Sequence, residues 1–217
     1  MALCADARLD NGTLIGDPTE GALIVLAEKG GISVDGAREM YPRIAEVPFD
    51  SDYKFMATFH ALTNEDRRPV VRCFVKGAPD VLIARSSSYW MPGGGVLPVI
   101  DENRPLALKE NDRMAEAGER VMVVARRDFD PKTFDPNANL VEQVRDLTLM
   151  AMVGIVDPPR PEARDAIAKC HSAGIQVRMI TGDHAVTAAA IGRELGIMGK
   201  ALTGAEFAAM SDEQLLK

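Results

Sequence analysis

Two lysines stand at the ends of neighbouring β-like runs in this sequence. Lys54 begins a run that continues to His60, and Lys76 ends a second run that starts at Val70. The polar, turn-compatible residues 64–69 lie between them, so the pattern predicts an antiparallel hairpin. In such a hairpin the start of the first strand lies beside the end of the second, which brings both ammonium groups into one region. Two like charges held together indicate a site for an anion.

The residues after Lys76 strengthen this interpretation. Pro79 follows two small residues and predicts a short helix that runs to Arg85. The first turn of that helix would add unpaired backbone N–H donors beside the lysines. Arg120 begins a further apolar strand that runs to Arg126. If that strand lies antiparallel to the one ending at Lys76, Arg120 joins the lysines at the same edge of the sheet.

The composition limits what the chain can bind. It has 217 residues, 47% of them hydrophobic, and a net charge of −7 with a pI near 5.1. We therefore expect a globular protein that does not bind nucleic acid or acidic lipid, because both demand a broad positive field. Its apolar stretches are far shorter than the ~20 residues that cross a bilayer, which predicts a soluble chain. The three cysteines lack metal-binding spacing and predict free thiols in a reducing compartment.

The sequence up to about residue 148 predicts an antiparallel α+β unit. Asp17 and Pro18 predict the start of a helix, and Glu20, three residues after the cap, suits a capping box. Gly30 is expected to end this helix. The further predicted elements are a loop over 86–88, a helix over 103–118 and a loop over 128–140.

From about residue 149 the pattern changes to strand, helix, strand and helix with short links. The predicted elements are a strand over 149–156, a helix over 161–173, a strand over 175–180 and a helix over 184–195. This order is typical of a parallel sheet with helical crossovers. The sequence therefore predicts two domains, residues 1–148 and residues 149–217.

Polar residues follow both predicted parallel strands, at the edge where such sheets bind ligands. Asp157 follows the first strand, and Thr181, Gly182 and Asp183 follow the second. A hydroxyl, an open glycine N–H and a carboxylate suit a phosphate with hydrated Mg²⁺. The same three residues also suit a turn that caps the next helix, and Asp157 with the prolines after it suits a rigid exit from a strand.

Five segments together resemble the motifs of the P-type cation-transporting ATPases, the family that includes the calcium and sodium/potassium pumps. They occur in the family's order and are residues 16–23 (Gly-Asp-Pro-Thr-Glu-Gly-Ala-Leu), 49–56 (Phe-Asp-Ser-Asp-Tyr-Lys-Phe-Met), 76–80 (Lys-Gly-Ala-Pro-Asp), 157–160 (Asp-Pro-Pro-Arg) and 181–183 (Thr-Gly-Asp). Any one of them would be weak evidence, whereas five in order make a specific match.

For the fold, the resemblance implies an α+β nucleotide-binding domain, an antiparallel sheet with flanking helices, over residues 1–148. It implies that residues 149–217 are an incomplete part of the phosphorylation domain, which has a haloacid-dehalogenase-like α/β Rossmannoid fold. ATP and Mg²⁺ are the cofactors that this family uses.

For the site, the resemblance implies that Phe49 stacks on the adenine ring, that Lys54 and Lys76 line the nucleotide pocket, and that Glu20 lies close to the adenine. Arg120 matches the family arginine that approaches the phosphates. The residues alone leave plainer interpretations open. Phe49 also suits a core position, each basic residue suits a solvated strand end, and Glu20 suits the acid of a capping box.

The catalytic parts of the family are incomplete in this chain. The resemblance implies that Thr181 and Gly182 hold the phosphoryl group in the closed pump, with Asp157 and Asp183 near the hinge and the nucleotide. The family's phosphorylated aspartate lies in an Asp-Lys-Thr-Gly-Thr string that is absent here, as is its later Thr-Gly-Asp-Gly-x-Asn-Asp motif. We therefore expect no nucleophile and no metal ligand in the chain, and no turnover by the chain alone.

The expectation is a cytoplasmic part of a larger membrane pump that couples ATP hydrolysis to cation transport. Its partners would be ATP and the rest of the same pump, namely the other half of the phosphorylation domain, the actuator domain and the membrane helices. A stand-alone nucleotide-binding regulatory module is the alternative. A Rossmann oxidoreductase is disfavoured because no Gly-x-Gly-x-x-Gly follows a strand, and a dehalogenase-type phosphatase because no aspartate nucleophile ends a first strand.

Overall fold

The computed structural model describes residues 1–98, 103–156, 160–181 and 185–211. Its elements, in chain order, are β1 (Arg8–Asp10), β2 (Thr13–Ile15), α1 (Pro18–Lys29), α2 (Val34–Met40), β3 (Arg43–Asp50), β4 (Phe55–Thr63), β5 (Pro69–Gly77), α3 (Pro79–Ala84), β6 (Ser86–Trp90), β7 (Val96–Pro98), α4 (Asn103–Glu116), β8 (Arg120–Phe129), α5 (Leu140–Gln143), β9 (Leu147–Ile155), α6 (Pro161–Ser172), α7 (Ala185–Glu194) and α8 (Gly204–Ala208). Within these described ranges, no helix is both long and apolar enough to cross a bilayer.

Seven strands form one sheet in the order β3-β4-β5-β8-β9-β6-β7, and β1 pairs with β2 in a separate hairpin. The pairs β3 with β4, β4 with β5, β5 with β8 and β6 with β7 are antiparallel, whereas β6 and β9 run parallel. The first part of the chain is therefore an α+β domain on a mostly antiparallel sheet, as the sequence predicts.

The predicted hairpin between the two lysines is confirmed. β4 and β5 pair in continuous register from Phe55 opposite Gly77 to Thr63 opposite Pro69. In the connecting turn, the side-chain oxygen of Asn64 accepts two backbone N–H groups. This bonding fixes the register of the hairpin at the end far from the lysines.

The two faces of the sheet bury different side chains, because residues alternate along each strand. One face carries the main apolar core, which includes Phe55, Phe59, Val75, Leu82 and Val123. Burying one such side chain fully stabilises the fold by roughly 1.5–3 kcal/mol. The other face of β4 is covered by residues 1–7, where the Thr58 hydroxyl donates to the Leu3 carbonyl at 3.3 Å. This second face carries the buried polar side chains of β4 and β5, namely Thr58, His60, Arg72 and Lys76.

Helix α1 begins and ends where the sequence predicts. The Asp17 carboxylate caps it by accepting the N–H groups of Thr19 at 2.8 Å and Glu20 at 3.2 Å, and Pro18 is the first helical residue. Gly30 follows the last residue of the helix. Because the cap is satisfied by Asp17 alone, the side chain of Glu20 is available for contacts outside the helix.

Two strands of the sheet differ from the prediction. The sequence predicts a loop over 86–88, but Ser86 begins β6, and the hydroxyls of Ser88 and Thr148 lie 2.9 Å apart across the pairing with β9. The sequence also predicts β9 as the first strand of a separate parallel sheet, whereas it lies between β8 and β6 in the main sheet. Both errors arise because strand pairing between distant segments overrides local preference.

The chain divides into two compact units, Met1–Asn111 with Val121–Ile155, and Asp112–Arg120 with Val156–Lys217. The predicted helices over 161–173 and 184–195 are confirmed as α6 and α7, although residue 184 lies outside the described residues. The described residues from 160 to 211 contain no strand, so the strand predicted over 175–180 is wrong. Ile180 is 97% exposed, and an apolar run becomes a strand only beside a neighbour that pairs with its backbone. The Rossmannoid fold and the domain boundary at residue 148 stay predictions.

Candidate functional site

The antiparallel register aligns four strands at one edge of the sheet. Asp50 pairs with Phe55, Phe55 with Gly77, and Gly77 with Val123. These four residues form a continuous row across β3, β4, β5 and β8. Phe49, Lys54 and Lys76 each lie one residue from this row. The structure thus places the backbones of three predicted site residues at the same edge, which we call the lysine edge.

Lys54 occupies a tight corner between the turn after β3 and the start of β4. Its backbone has a φ of 56°, in the left-handed region that is costly for a residue with a side chain. Its N–H donates to the Asp50 carbonyl at 2.8 Å, and its carbonyl accepts the Ala78 N–H at 3.0 Å. A Cβ on Gly77 would lie 2.6 Å from the Lys54 carbonyl oxygen, so only glycine fits beside this corner.

The Lys54 ammonium points toward the start of helix α3. Its Nζ lies 3.7 Å from the Asp80 carboxylate, and both side chains are more than half exposed. An exposed pair of this kind contributes about 1 kcal/mol or less, so an anionic ligand can replace Asp80 at little cost. Lys54 is therefore a cation that a ligand at the surface can reach.

Lys76 has a different environment. Its side chain is only 5% exposed and forms an ion pair with Oε1 of Glu20, which is 14% exposed. The other carboxylate oxygen of Glu20 accepts the backbone N–H groups of Asp6 and Ala7, both at 2.8 Å. The capping-box interpretation of Glu20 is therefore wrong, because this carboxylate bonds Lys76 and residues 6 and 7.

The sequence predicts an anion site from the two like charges, and in the structure carboxylates of the chain itself lie beside both lysines. Each lysine already has a carboxylate partner, Asp80 for Lys54 and Glu20 for Lys76. The Glu20 pair is buried, and removing one member of such a pair costs about 3–5 kcal/mol. An anionic ligand at this edge therefore competes with a weak partner at Lys54 and with a strong partner at Lys76.

The field of Lys76 reaches two further groups. Burial raises the pKa of the Asp17 carboxyl, but the N–H groups of Glu20 and Thr19, together with Lys76, leave that pKa below its ordinary value. Burial also raises the pKa of the Cys4 thiol, and Lys76 opposes that rise. The thiol is fully buried and stays protonated at neutral pH, as predicted for a structural cysteine.

Phe49 is 64% exposed, so the interpretation that it is a core residue is wrong. The turn that follows Phe49 is held by local hydrogen bonds. The Tyr53 hydroxyl donates to the Pro48 carbonyl at 2.6 Å, and the Asp50 carboxylate accepts the Asp52 N–H at 2.7 Å. A large aromatic side chain left in solvent is suited to stacking on a planar ligand.

The remaining predicted residues are less defined. Arg120 is the exposed first residue of β8, which pairs antiparallel with β5 as predicted, and it belongs to the second compact unit. Thr181 is exposed. Asp157, Gly182 and Asp183 lie outside the described residues. The phosphate and hinge roles of these five residues stay predictions.

Two features of the lysine edge were not foreseen from the sequence. Asp80 is a partner of Lys54, and the antiparallel register could have indicated this because it places Lys54 beside the residues after Gly77. The two N–H groups bound by Glu20 carry no sequence signal. Among the described residues, no group of three or more histidine, cysteine or acidic side chains could hold a metal ion.

Comparison with known proteins agrees with the motifs. A family model described as P-type ATPase, cytoplasmic domain N, matches residues 1–162. The chain is 38% identical over 98% of its length to a Synechocystis protein named cation-transporting ATPase pma1. It is 38% identical over 99% of its length to a calcium-transporting ATPase of Bacillus subtilis, and 37% identical over 98% of its length to calcium-transporting ATPase type 2C member 1 of Homo sapiens. It spans 22–24% of the length of these relatives.

Proposed function

The chain belongs to the P-type cation-transporting ATPases and contains their cytoplasmic domain N, and from this premise we propose that it binds ATP at the lysine edge. The observation that carries the proposal is the row Asp50, Phe55, Gly77 and Val123, which aligns the strand ends that bear Phe49, Lys54 and Lys76. The exposed aromatic side chain of Phe49 and the exposed ammonium of Lys54 suit the two halves of a nucleotide, a planar base and a charged phosphate chain.

Phe49 supplies the contact with the base in this proposal. Its ring is 64% exposed in the described structure and is available to a ligand without repacking of the core. Stacking of a nucleobase on an aromatic side chain contributes ~1–3 kcal/mol per base in comparable sites. That contribution depends little on the identity of the base, so Phe49 provides affinity more than selectivity.

The two lysines have different roles in the proposal. Lys54 is exposed and weakly paired, so we assign it to the phosphates, where a charge-assisted hydrogen bond contributes ~1.5–3 kcal/mol. Lys76 is buried against Glu20 and forms the inner wall of the pocket. The protein carries a net charge of −7, so these local cations are needed to offset repulsion of a polyanion.

Glu20 is assigned a position at the base. Its carboxylate accepts hydrogen bonds and would repel phosphates, so it suits the end of the pocket that receives the adenine amino group. In this proposal Glu20, Lys76 and Phe49 belong to the base end of the site, and Lys54 belongs to the phosphate end.

The whole protein is proposed to couple ATP hydrolysis to cation transport across a membrane. Relatives of the chain are named as cation-transporting or calcium-transporting ATPases and are several times longer. The chain contains no Asp-Lys-Thr-Gly-Thr string, so we propose that these 217 residues bind ATP without turning it over. The part of the chain after β9, with Asp157 and Thr181, would then belong to the phosphorylation domain.

Calorimetric titration with ATP, with and without Mg²⁺, tests the proposal. Wild-type chain is expected to bind weakly, and Phe49→Ala and Lys54→Ala are each expected to lose about tenfold or more in affinity. Phe207→Ala and Lys132→Ala are matched controls, because both residues are exposed and lie far from the lysine edge in sequence. A wild-type chain that is folded by circular dichroism and gives no binding heat at millimolar ATP would show the proposal to be wrong.

A further inference from the structure

Glu20 joins two parts of the molecule that are distant in sequence. Its Oε1 bonds the ammonium of Lys76 at the end of β5, and its Oε2 accepts the N–H groups of Asp6 and Ala7 at 2.8 Å each. One carboxylate therefore connects the inner wall of the proposed pocket to residues 1–7, which we call the entry segment.

Several hydrogen bonds hold the entry segment against the rest of the fold. The guanidinium of Arg38 donates to the carbonyls of Ala5 and Ala7 at 2.7 and 2.9 Å, and the Thr58 hydroxyl donates to the Leu3 carbonyl at 3.3 Å. These bonds engage carbonyl groups, whereas Glu20 engages the N–H groups of residues 6 and 7. Loss of the Glu20 contact would leave the carbonyl bonds in place, so a change would be confined to two amides.

The charges make the hydrogen bonds of Glu20 sensitive to a ligand in the pocket. Lys76 and Glu20 are almost fully buried, so each depends on the other for charge compensation. A phosphate chain bound at Lys54 brings several negative charges to the lysine edge, and their field draws the Lys76 ammonium away from Glu20. The carboxylate then has to strengthen its bonds to the two amides or rotate toward solvent, and either response changes the protection of those amides.

We propose that Glu20 couples occupancy of the pocket to the entry segment, so that a nucleotide polyphosphate bound at the lysine edge alters the hydrogen bonds of the Asp6 and Ala7 amides. This inference rests on the proposed ATP site, and it adds a route by which that site acts on a segment that does not touch the ligand. Glu20 is in this sense a positioning residue, because it acts through Lys76 and through two backbone groups.

Hydrogen exchange followed by NMR tests the coupling in the full chain. Saturating Mg-ATP is expected to change the exchange rates of the Asp6 and Ala7 amides by at least about fivefold, with a smaller change at other amides of the first unit. Lys76→Met keeps the aliphatic stem and removes the charge, so it is expected to change the same two amides without ATP. Glu20→Gln keeps an acceptor but loses the charge, and it is expected to uncouple the two amides from ATP.

Lys54→Met is the matched control, since Lys54 lies at the same edge and has no bond to Glu20. It should weaken ATP binding and leave the two amides of the empty protein at their wild-type rates. If calorimetry shows that ATP binds while the Asp6 and Ala7 amides keep their rates, the coupling is refuted and the ATP site stands. If ATP does not bind but Lys76→Met changes both amides, the contact is real and the ATP site is refuted. Amides that respond neither to ATP nor to Lys76→Met would refute the coupling even if that variant loses stability.

Discussion

At the scale of single residues, the left-handed backbone of Lys54 directs an exposed ammonium to the surface of the lysine edge. Its φ of 56° is maintained by bonds to Asp50 and Ala78, and by the absence of a Cβ on Gly77. Strained backbone of this kind costs about 1–3 kcal/mol and is retained where the surrounding structure enforces it. The strain fixes the direction of the Lys54 side chain before a ligand arrives.

The variant Lys54→Gly removes the charge of the side chain and keeps the backbone conformation, so it tests the effect of the charge alone. Glycine adopts positive φ without a steric penalty, which offsets its greater entropy in the unfolded chain. The free energy of unfolding is therefore expected to stay within about 1 kcal/mol of wild type, while ATP affinity falls about tenfold or more. Urea denaturation and calorimetry measure the two quantities. Unchanged affinity in a folded variant would remove Lys54 from the phosphate site, and Lys132→Gly serves as the control for losing an exposed lysine.

His60 predicts a pH effect on stability. Its Nδ1 lies 2.8 Å from the Tyr41 carbonyl, and its Nε2 is buried with no hydrogen-bond partner among the described residues. Burial lowers the pKa of His60 in the folded state. As pH falls below about 6.5, the unfolded chain therefore takes up a proton that the folded chain resists, and stability falls by at most about 1.4 kcal/mol per pH unit.

Urea denaturation at about pH 7.5 and about pH 5.5 measures this loss on either side of the ordinary histidine pKa. His60→Gln is expected to reduce the difference between the two conditions, whereas His171→Gln, at an exposed position, is expected to leave it unchanged. An equal difference in wild type and His60→Gln would show that other groups cause the pH dependence.

At the scale of elements, the hairpin of β4 and β5 positions the site through one close approach. A Cβ at Gly77 would lie 2.6 Å from both the Lys54 carbonyl oxygen and the Phe55 Cβ. Gly77→Ala is therefore expected to lower the free energy of unfolding by about 1–3 kcal/mol and to weaken ATP binding, since the Lys54 corner must move. Gly204→Ala is the control, because a Cβ there meets open space. Wild-type stability in Gly77→Ala would contradict the proposed packing of the corner.

The opposite end of the same hairpin is held by a charge network. The Glu65 carboxylate accepts hydrogen bonds from Arg72 and Arg126, and Arg72 also bonds the Asp128 carboxylate at 2.6 Å. The guanidinium of Arg126 lies 4.6 Å from the centre of the Trp90 ring. The network therefore ties the hairpin turn to β8 and β6.

This network predicts an acid-sensitive contribution to stability. Hydrogen bonding from Arg72 lowers the pKa of Glu65 from 4.5 to about 2. The contribution is therefore present above about pH 4.5 and is lost as pH falls toward 2. Glu65 is 54% exposed, so after screening by solvent we expect only about 1 kcal/mol. Urea denaturation should show that the free energy of unfolding falls less below pH 4.5 in Glu65→Gln than in wild type or in the exposed control Glu28→Gln. An equal fall in all three proteins would show that Glu65 does not cause the acid sensitivity.

The elements also show what sequence can and cannot predict. The hairpin was predictable because alternation in β4 and β5 and the turn between them are local signals. Strand β6 was not, because its serines become a strand only through pairing with β9, about 60 residues later in the chain. Glu20 had a sufficient local explanation as a capping acid, and its true partner Lys76 depends on how α1 packs on the sheet. Local rules therefore predicted the hairpin that carries Lys54 and Lys76 but not the contacts of their side chains.

At the scale of the whole molecule, the proposed ATP site belongs to a chain with a net negative charge. The net charge of −7 opposes nonspecific binding of phosphate chains, so affinity has to come from the few residues beside the row of strand ends. Such a site is expected to bind ATP weakly. The chain spans 22–24% of the length of its relatives, and the proposed site lies in the part that matches domain N.

The most direct test of the central claim is an NMR titration of the ¹⁵N-labelled chain with ATP, read residue by residue. The account predicts saturable shift changes at residues 48–55 and 76–78, around the lysine edge, and little change at residues 63–69 at the other end of the same hairpin. ADP should shift the same residues, and ribose 5-phosphate, which lacks the base, should perturb Phe49 least. Shift changes centred on residues 63–69, or a folded chain whose spectrum is unchanged at millimolar ATP, would contradict it.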